Sequence, residues 1–309
     1  MQDTKQFSAR HVPWLKIGTE VDEAVTAEQA ITLAGLDFDV KIVQDGYKSP
    51  VTGNWKVDKS KRKVVRLDTD TPLGTVSPTY QHLQYRQAFE FMDEISPEYV
   101  AAGSLKGGRQ AFIVVQAPQL ETFDALGGGE DPHDMYIVLR ASHDGTRAVE
   151  VSMLPLRDKC MNMMPLPSFG RDAKQRWSIR HTKNMHEKLT QAQKVLTNLD
   201  GYVQNYRETA QLLASIDLDI DEARRVIAES VPEYIKQPDK QADAIMNVYT
   251  TSTRNGYVGT GWGVVNAVTE YHDHFRGGAE RRPETRWTQG LDGTTVRAID
   301  RTLQALSNR

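Results

Sequence analysis

Cysteine is almost absent: Cys160 is the only one in 309 residues, which excludes an internal disulfide framework and a four-cysteine zinc site and fits a reducing compartment. Long apolar runs are missing as well. No segment approaches the roughly 20 apolar residues of a membrane-spanning helix, and the start, MQDTKQFSARHVPW, has no apolar core of the secretory kind. The expectation is a cytoplasmic protein with no membrane partner. Nor does charge of one sign dominate, since 38 Lys plus Arg stand against 41 Asp plus Glu for a formal charge of -3; total charge therefore gives no nucleic-acid signal. No Gly-Lys-Ser or Gly-Lys-Thr closes a phosphate loop, and no Gly-x-Ser-x-Gly elbow surrounds Ser142.

What is present is a change of period along the chain. TAEQAITLAG reads as a short helix with Thr26 as N-cap and Gly35 as its stop. LDFDVKIV, NWKVD, KRKVVRLD and LGTVS read as strands, and the intervening QDGYKSPVTGN as an exposed, turn-rich stretch. YQHLQYRQAFEFMDEIS places Leu83, Ala88, Phe91, Met92 and Ile95 on a helical face, limited by Pro97. Two strands then flank Lys106-Gly107-Gly108-Arg109, and MYIVLRASHDGTRAVEVSML supplies another strand pair. Strands this close together leave no room for helical crossovers, so the sheet is predicted to be antiparallel. The fold class is α+β: a β-β-β-α core with additional hairpins, followed by a mainly helical region. Two parts are expected, 1–170 rich in strands and 171–309 mainly helical, with a single shared core as the alternative to two. In the second part, Met185, Leu189, Ala192, Leu196 and Leu199 form a stripe, Asp200-Gly201 is a candidate interruption, and Val264, Val268, Tyr271 and Phe275 align.

Several reactive-looking groupings resolve into plain structure. Ser142-His143-Asp144 resembles a catalytic set, but neighbours on a strand face opposite ways, while Asp144-Gly145 is a strong hairpin turn pair. Gly259, Gly261 and Gly263 are evenly spaced after a helix, unlike a dinucleotide fingerprint, and suit a close-packed helix entry. His272 and His274 with Glu270, or His181 with His186, lack zincin spacing; no metal and no cofactor is expected. Asp217, Asp219 and Asp221 stand at a helix start, where negative charge is stabilising.

Charge distribution says more than its sum. Lys56, Lys59, Lys61, Arg62, Lys63 and Arg66 fall within eleven residues, with Asp58 the one acid among them. Residues 171–194 hold seven Lys or Arg against Asp172 and Glu187, whereas from Glu208 to Glu233 seven acids face Arg224 and Arg225 alone. A two-sided molecule is expected, with basic hairpins opposite acidic helices. A groove of this kind holds phosphates, and an aromatic beside it (Trp55, Trp177 or Tyr80) stacks on bases for ~1–3 kcal/mol each. The candidate nucleic-acid contacts are Lys61, Arg62, Lys63, Arg176, Arg180 and Lys183 by charge, Lys106 and Arg109 on the central hairpin, and Trp177 as stacker; no catalytic residue is assigned.

The serial order of LGTVSPTYQHLQYRQAFEFMDEI, GSLKGGRQAFIVVQAP, YIVLRASHDGTRAVEV, LPLRDKCMN with its Arg157/Cys160/Asn162 spacing, WSIRHTKN and GTGWGVVNAVTEYHDH resembles, over residues 8 to 275, a widespread family of phage- and plasmid-encoded proteins whose domain has no assigned function. That family's cysteine segment usually continues into Asn-Thr; CMNMMP departs from it. In its arrangement of elements the family is similar to the single-strand annealing proteins of phage recombination. The resemblance implies ATP-independent binding of single-stranded DNA and annealing of complementary strands in phage or plasmid recombination, by a homo-oligomeric ring or helical filament in the host cytoplasm. The alternatives are a metal-dependent, nuclease-like enzyme on phage or plasmid nucleic acid, and a protein-binding modulator of host defence.

Overall fold

The computed structural model describes residues 17, 19–20, 26–96, 98–117, 122–127, 131–158, 162–164, 176–196, 200–232, 234–252, 256–276 and 283–309. Cys160 and the basic residues Arg171 and Lys174 lie outside them. The fold is α+β: antiparallel sheets in the N-terminal half, helices in the C-terminal half.

Strand β1 (Thr19–Glu20) is followed by helix α1 (Ala27–Leu33). Thr26 caps the helix by accepting from the Gln29 N–H at 3.2 Å, and Gly35 ends it at φ 64°. A three-stranded antiparallel sheet follows, β2 (Val40–Lys48), β3 (Trp55–Arg66) and β4 (Thr71–Val76), in that order across the sheet. Here the structure corrects the predicted boundaries. QDGYK is part of β2, so the turn shrinks to the residues between Lys48 and Trp55, and NWKVD and KRKVVRLD form one strand of 12 residues. The turn-type composition misled because cross-strand pairing, not local propensity, decides such a segment.

Helix α2 (Tyr85–Asp93) is tied to that sheet by Gln84. Its side-chain amide accepts from Val40 N–H at 3.0 Å and donates to Val40 C=O at 2.8 Å, standing in for a missing strand neighbour. The larger sheet comprises β5 (Tyr99–Leu105), β6 (Gln110–Gln116), β7 (Thr122–Asp124), β8 (Pro132–Ser142), β9 (Val149–Arg157), β10 (Asn162–Met163) and β11 (Arg176–Ile179), with β1 joining at one edge. Its order is β1-β5-β6-β8-β9-β10, with β7 on β8 and β11 on β9. Alternation sorts its residues between two cores. Ile113, Val115, Ile137, Leu139, Val149 and Val151 face α2 and its Phe89 and Met92. Phe112, Val114, Val138 and Leu154 face Trp287 and Leu291 of helix α8 (Pro283–Asp292). Covered on both faces, β8 and β9 read as nearly continuous apolar runs.

The remaining helices are α3 (Met185–Leu196), α4 (Asp200–Ala214), α5 (Ile220–Ser230), α6 (Pro238–Thr251), α7 (Gly261–Glu270) and α9 (Thr294–Ser307). Helix α7 is buried at every residue, packed by α4, α5, α6 and α9. Its glycines are packing devices, as their spacing suggests: a methyl on Gly261 would come within 2.9 Å of Leu213 O, and one on Gly263 would overlap the Tyr257 carbonyl. The predicted alignment of Phe275 with Val264 and Val268 fails. A π-helical turn, Tyr271–Phe275, closes the helix, adds a residue to the repeat and turns Phe275 to solvent. Among the described residues no helix is long and apolar enough to cross a membrane.

The small sheet sits on the tips of two hairpins of the large one. A methyl on Gly74 of β4 would overlap the Asp144 backbone in the β8–β9 turn, and one on Gly145 would lie 2.9 Å from Val76. At the β5–β6 turn, the Arg66 guanidinium lies 3.7 Å from the centre of the Phe38 ring, and both side chains border Gly108. Gly74→Ala is therefore expected to destabilise the fold by ~1–3 kcal/mol and to accelerate amide hydrogen exchange in β2–β4 more than in β8–β9. Uniform exchange across both sheets would count against this docking contact.

Candidate functional site

Beyond its docked base, the β2–β3 hairpin projects as a two-stranded ribbon. Its register pairs Lys48 with Trp55, Tyr47 with Lys56, Gly46 with Val57 and Asp45 with Asp58. Large apolar groups normally shun such a position, yet Tyr47 is 54% exposed, Trp55 64% and Val57 51%. Register partners project to the same side of a ribbon and successive residues to opposite sides. Trp55, Lys48 and Val57 thus share one side, and Tyr47 and Lys56 the other. Gly46 makes room for the indole, which lies within 2.7 Å of where a Gly46 Cβ would stand.

Just below, the register jumps: Asp58 pairs with Asp45, but Arg62 pairs with Gln44, leaving Lys59, Ser60 and Lys61 extruded as a bulge. Asp58 accepts from Ser60 N–H at 2.9 Å, and the Gln44 side chain donates to Asp58 C=O at 2.8 Å, fixing the bulge from both strands. The Ser60 hydrogen bonds hold the Asp58 carboxyl below its ordinary range. The Arg62 guanidinium folds back onto Lys61 C=O at 2.9 Å. Lys63 pairs with Asp45 at 3.0 Å, and this bond lowers the Asp45 pKa. Lys48, Lys56, Lys59 and Lys61 are exposed, and none has an ion-pair partner among the described residues.

The other predicted contacts border the hairpin tips on which the ribbon is seated. Lys106, at φ 54°, and Arg109 are exposed on the β5–β6 turn. That turn joins the β8–β9 turn through His143 N–H to Arg109 C=O at 2.7 Å and Gln110 Nε2 to Thr146 Oγ1 at 2.9 Å. Arg180 and Lys183 are exposed after β11, which reaches the same place because Gln81 N–H donates to His181 C=O at 3.1 Å. Arg176 has its backbone in β11 opposite Ser152. The stretches that carry these residues thus converge on one end of the large sheet, where Asp144 also lies. The aromatics sort differently from expectation. Trp177 is half-buried against the core, and Tyr80 is buried, stacked on His181 at 4.5 Å with its hydroxyl donating to Ser142 C=O at 2.8 Å. On the ribbon the open aromatics are Trp55 and Tyr47; Tyr47 and Lys48 went unnoticed in sequence because their segment has a turn's composition.

Ser142-His143-Asp144 is a turn, as its Asp-Gly pair suggests. Ser142 Oγ donates to Arg147 C=O at 2.9 Å, and Asp144 Oδ1 accepts from Thr146 N–H at 2.9 Å. His143 points the other way, into the seam between the sheets. Its ring centre is 4.0 Å from that of Tyr85, and neither ring nitrogen has a hydrogen-bond partner among the described residues. Burial, reinforced by His82 and His181, lowers its pKa to about 3. Catalysis by a base requires contact with its nucleophile, which this geometry does not provide.

A second polar centre joins the sheet to the helices. Arg157 and Asp131 are both fully buried, with Arg157 Nε 2.6 Å from Asp131 Oδ1, while Trp262 Nε1 donates to Asp131 Oδ2 at 2.8 Å. His133 Nδ1 donates to Asp131 C=O at 2.9 Å, and burial lowers the His133 pKa to about 4. Nearby, Met163 N–H donates to Asp273 Oδ2 at 2.8 Å, and His274 Nε2 donates to Asn162 Oδ1 at 2.9 Å. LPLRDKCMN and GTGWGVVNAVTEYHDH therefore meet in space. Among the described residues no group of three or more His, Cys, Asp or Glu side chains is arranged to hold a metal ion.

An α+β chain with a doubly covered antiparallel sheet and a buried Asp-Arg-Trp lock is what these elements define. Residues 72–304 match the family described as a domain of unknown function, DUF932, and the chain belongs to that family. The matched span differs from the expected 8 to 275: it omits the β2–β3 ribbon and includes helix α8 and most of α9. No curated protein and no solved structure matches the chain.

Asp131→Ala removes the carboxylate that pairs with the buried Arg157 guanidinium at 2.6 Å, so it is expected to cost ~3–5 kcal/mol in urea unfolding, and replacing Asp131 and Arg157 together by Leu and Met to recover most of that loss. Because His133 and His143 have depressed folded pKa values, their stabilising effect is whole above the unfolded value near pH 6.5 and is lost as pH falls toward about 4 and about 3. Stability should fall by about 1.4 kcal/mol per pH unit per histidine across that window. His143→Phe should flatten the curve, and an unchanged slope would exclude His143 as a source.

Proposed function

We propose that this chain binds single-stranded DNA through the β2–β3 ribbon and the adjoining hairpin tips, and pairs complementary strands without ATP, as proteins of phage or plasmid recombination do. The observation that carries the reading is the pairing of each exposed ribbon aromatic with an exposed lysine directly opposite, Trp55 with Lys48 and Tyr47 with Lys56. An aromatic platform beside an ammonium suits a base and its phosphate, and such stacking tolerates any sequence. The bulge adds Lys59 and Lys61, and Lys106, Arg109, Arg180 and Lys183 extend the cationic surface at the ribbon's base. The family match begins at Pro72, so the ribbon that carries this reading lies before it, while Lys106, Arg109, Arg180 and Lys183 lie within it.

Fluorescence anisotropy with single-stranded and duplex oligonucleotides across a salt series tests it. Single strands should bind more tightly, with a log-log salt slope of about -0.7 for each phosphate contact. Replacing Trp55 and Tyr47 together by alanine should weaken binding about 5- to 150-fold per stacked base lost. Absence of binding to either nucleic acid at low salt, or no effect of the double replacement, would overturn the proposal. An annealing assay without ATP then separates strand pairing from binding alone.

A further inference from the structure

We propose that the ribbon is two-sided and holds two single strands at once, one on each face; this rests on the nucleic-acid reading above and names the state in which annealing would begin. Each face is self-contained. On one, Trp55 from β3 stands beside Lys48 from β2, with Val57 next to it and the indole laid across Gly46. On the other, Tyr47 from β2 stands beside Lys56 from β3. The polarity of the pair is reversed between the faces: the strand that gives the aromatic to one side gives the cation to the other. A single extended site would place both aromatics on one side, as alternate residues of a strand or as register partners. Here Tyr47 and Trp55 lie side by side along the ribbon but on opposite surfaces, so one unkinked nucleic-acid strand cannot stack on both.

The two faces differ in depth. Toward the base, the Tyr47 side meets Asp45 and Asp58, already engaged by Lys63 and Ser60, whereas the Trp55 side continues through Val57, 51% exposed, and Gly46. The Asp58 carboxylate, held by Ser60 rather than by a cation, repels a phosphate track on the Tyr47 face and confines that strand to the tip of the ribbon. The Trp55 face is accordingly the tighter one.

Two measurements on the full-length protein test this: the number of short oligothymidine strands bound per chain, and energy transfer between donor-labelled and acceptor-labelled oligothymidines, which cannot pair with each other. The wild-type chain should bind two strands and show transfer. Trp55→Ala and Tyr47→Ala should each reduce stoichiometry to one strand and abolish transfer while keeping single-strand binding, Trp55→Ala leaving the weaker site. Lys48→Ala and Lys56→Ala should reproduce the two effects face by face. Transfer that persists in either aromatic variant would show that the strands come from different subunits and overturn the proposal. Loss of all binding in one aromatic variant with no effect of the other would show a one-faced ribbon and overturn it equally. Either result leaves the nucleic-acid reading standing, whereas no oligothymidine binding by the wild-type chain removes both.

Discussion

The contact between Gly74 and the backbone of Asp144 is the constraint on which the exposed architecture depends. Two sheets approach there without a side chain between them, as closely as peptide groups allow. Around that point the seam is filled by rings: Phe38 against Tyr85 at 5.5 Å, Tyr85 against His143, and Tyr80 against His181. Hydroxyl groups satisfy the ends of the hairpins, with Tyr85 donating to Gly108 C=O at 3.0 Å and Tyr80 to Ser142 C=O. A small sheet anchored so firmly at its base leaves the distal half of β2–β3 without a covering layer among the described residues. Its aromatic side chains are therefore exposed by topology, and the bulge at Lys59–Lys61 marks where the covered part ends.

The helical half is held to the sheet by a different kind of contact. Asp131 accepts from both Arg157 and Trp262 in a fully buried site, where its carboxylate is met by directed hydrogen bonds from β9 and α7. A buried ion pair gives little net stability compared with an apolar replacement, but it tolerates few alternative arrangements. Arg140 and Glu150, register partners on β8 and β9 with 2.7 Å between their charged groups, show the same logic within the sheet. Both pairs lie inside the span shared with the family, while the ribbon lies before it. The proposed nucleic-acid surface thus straddles the start of the common framework: the ribbon lies before it, and Lys106, Arg109, Arg180 and Lys183 lie within it.

Much of the framework was legible in the sequence because its signals are local. Thr26 and Gly35 bracket α1, the Gly-Gly pair at 107–108 and Asp144-Gly145 mark reversals that need positive φ, and Asp219 starts α5 with a capping box completed by Glu222. The candidate site was legible in part. Its lysines announce themselves by density, but the exposure of its aromatics does not, because nothing local distinguishes Trp177, which the sheet half-covers, from Trp55, which stands open.

Period, turn chemistry and capping residues determined the α+β class, the order of its elements and the antiparallel pairing, since each depends on neighbours a few positions apart. Tertiary structure alone decided that QDGYK would be strand, that Tyr47 and Trp55 would lie on opposite sides of one ribbon, and that Asp131, Arg157 and Trp262 would meet. Those outcomes depend on cross-strand register and on which layer covers which face, and such contacts join residues too far apart along the chain for any local pattern to encode.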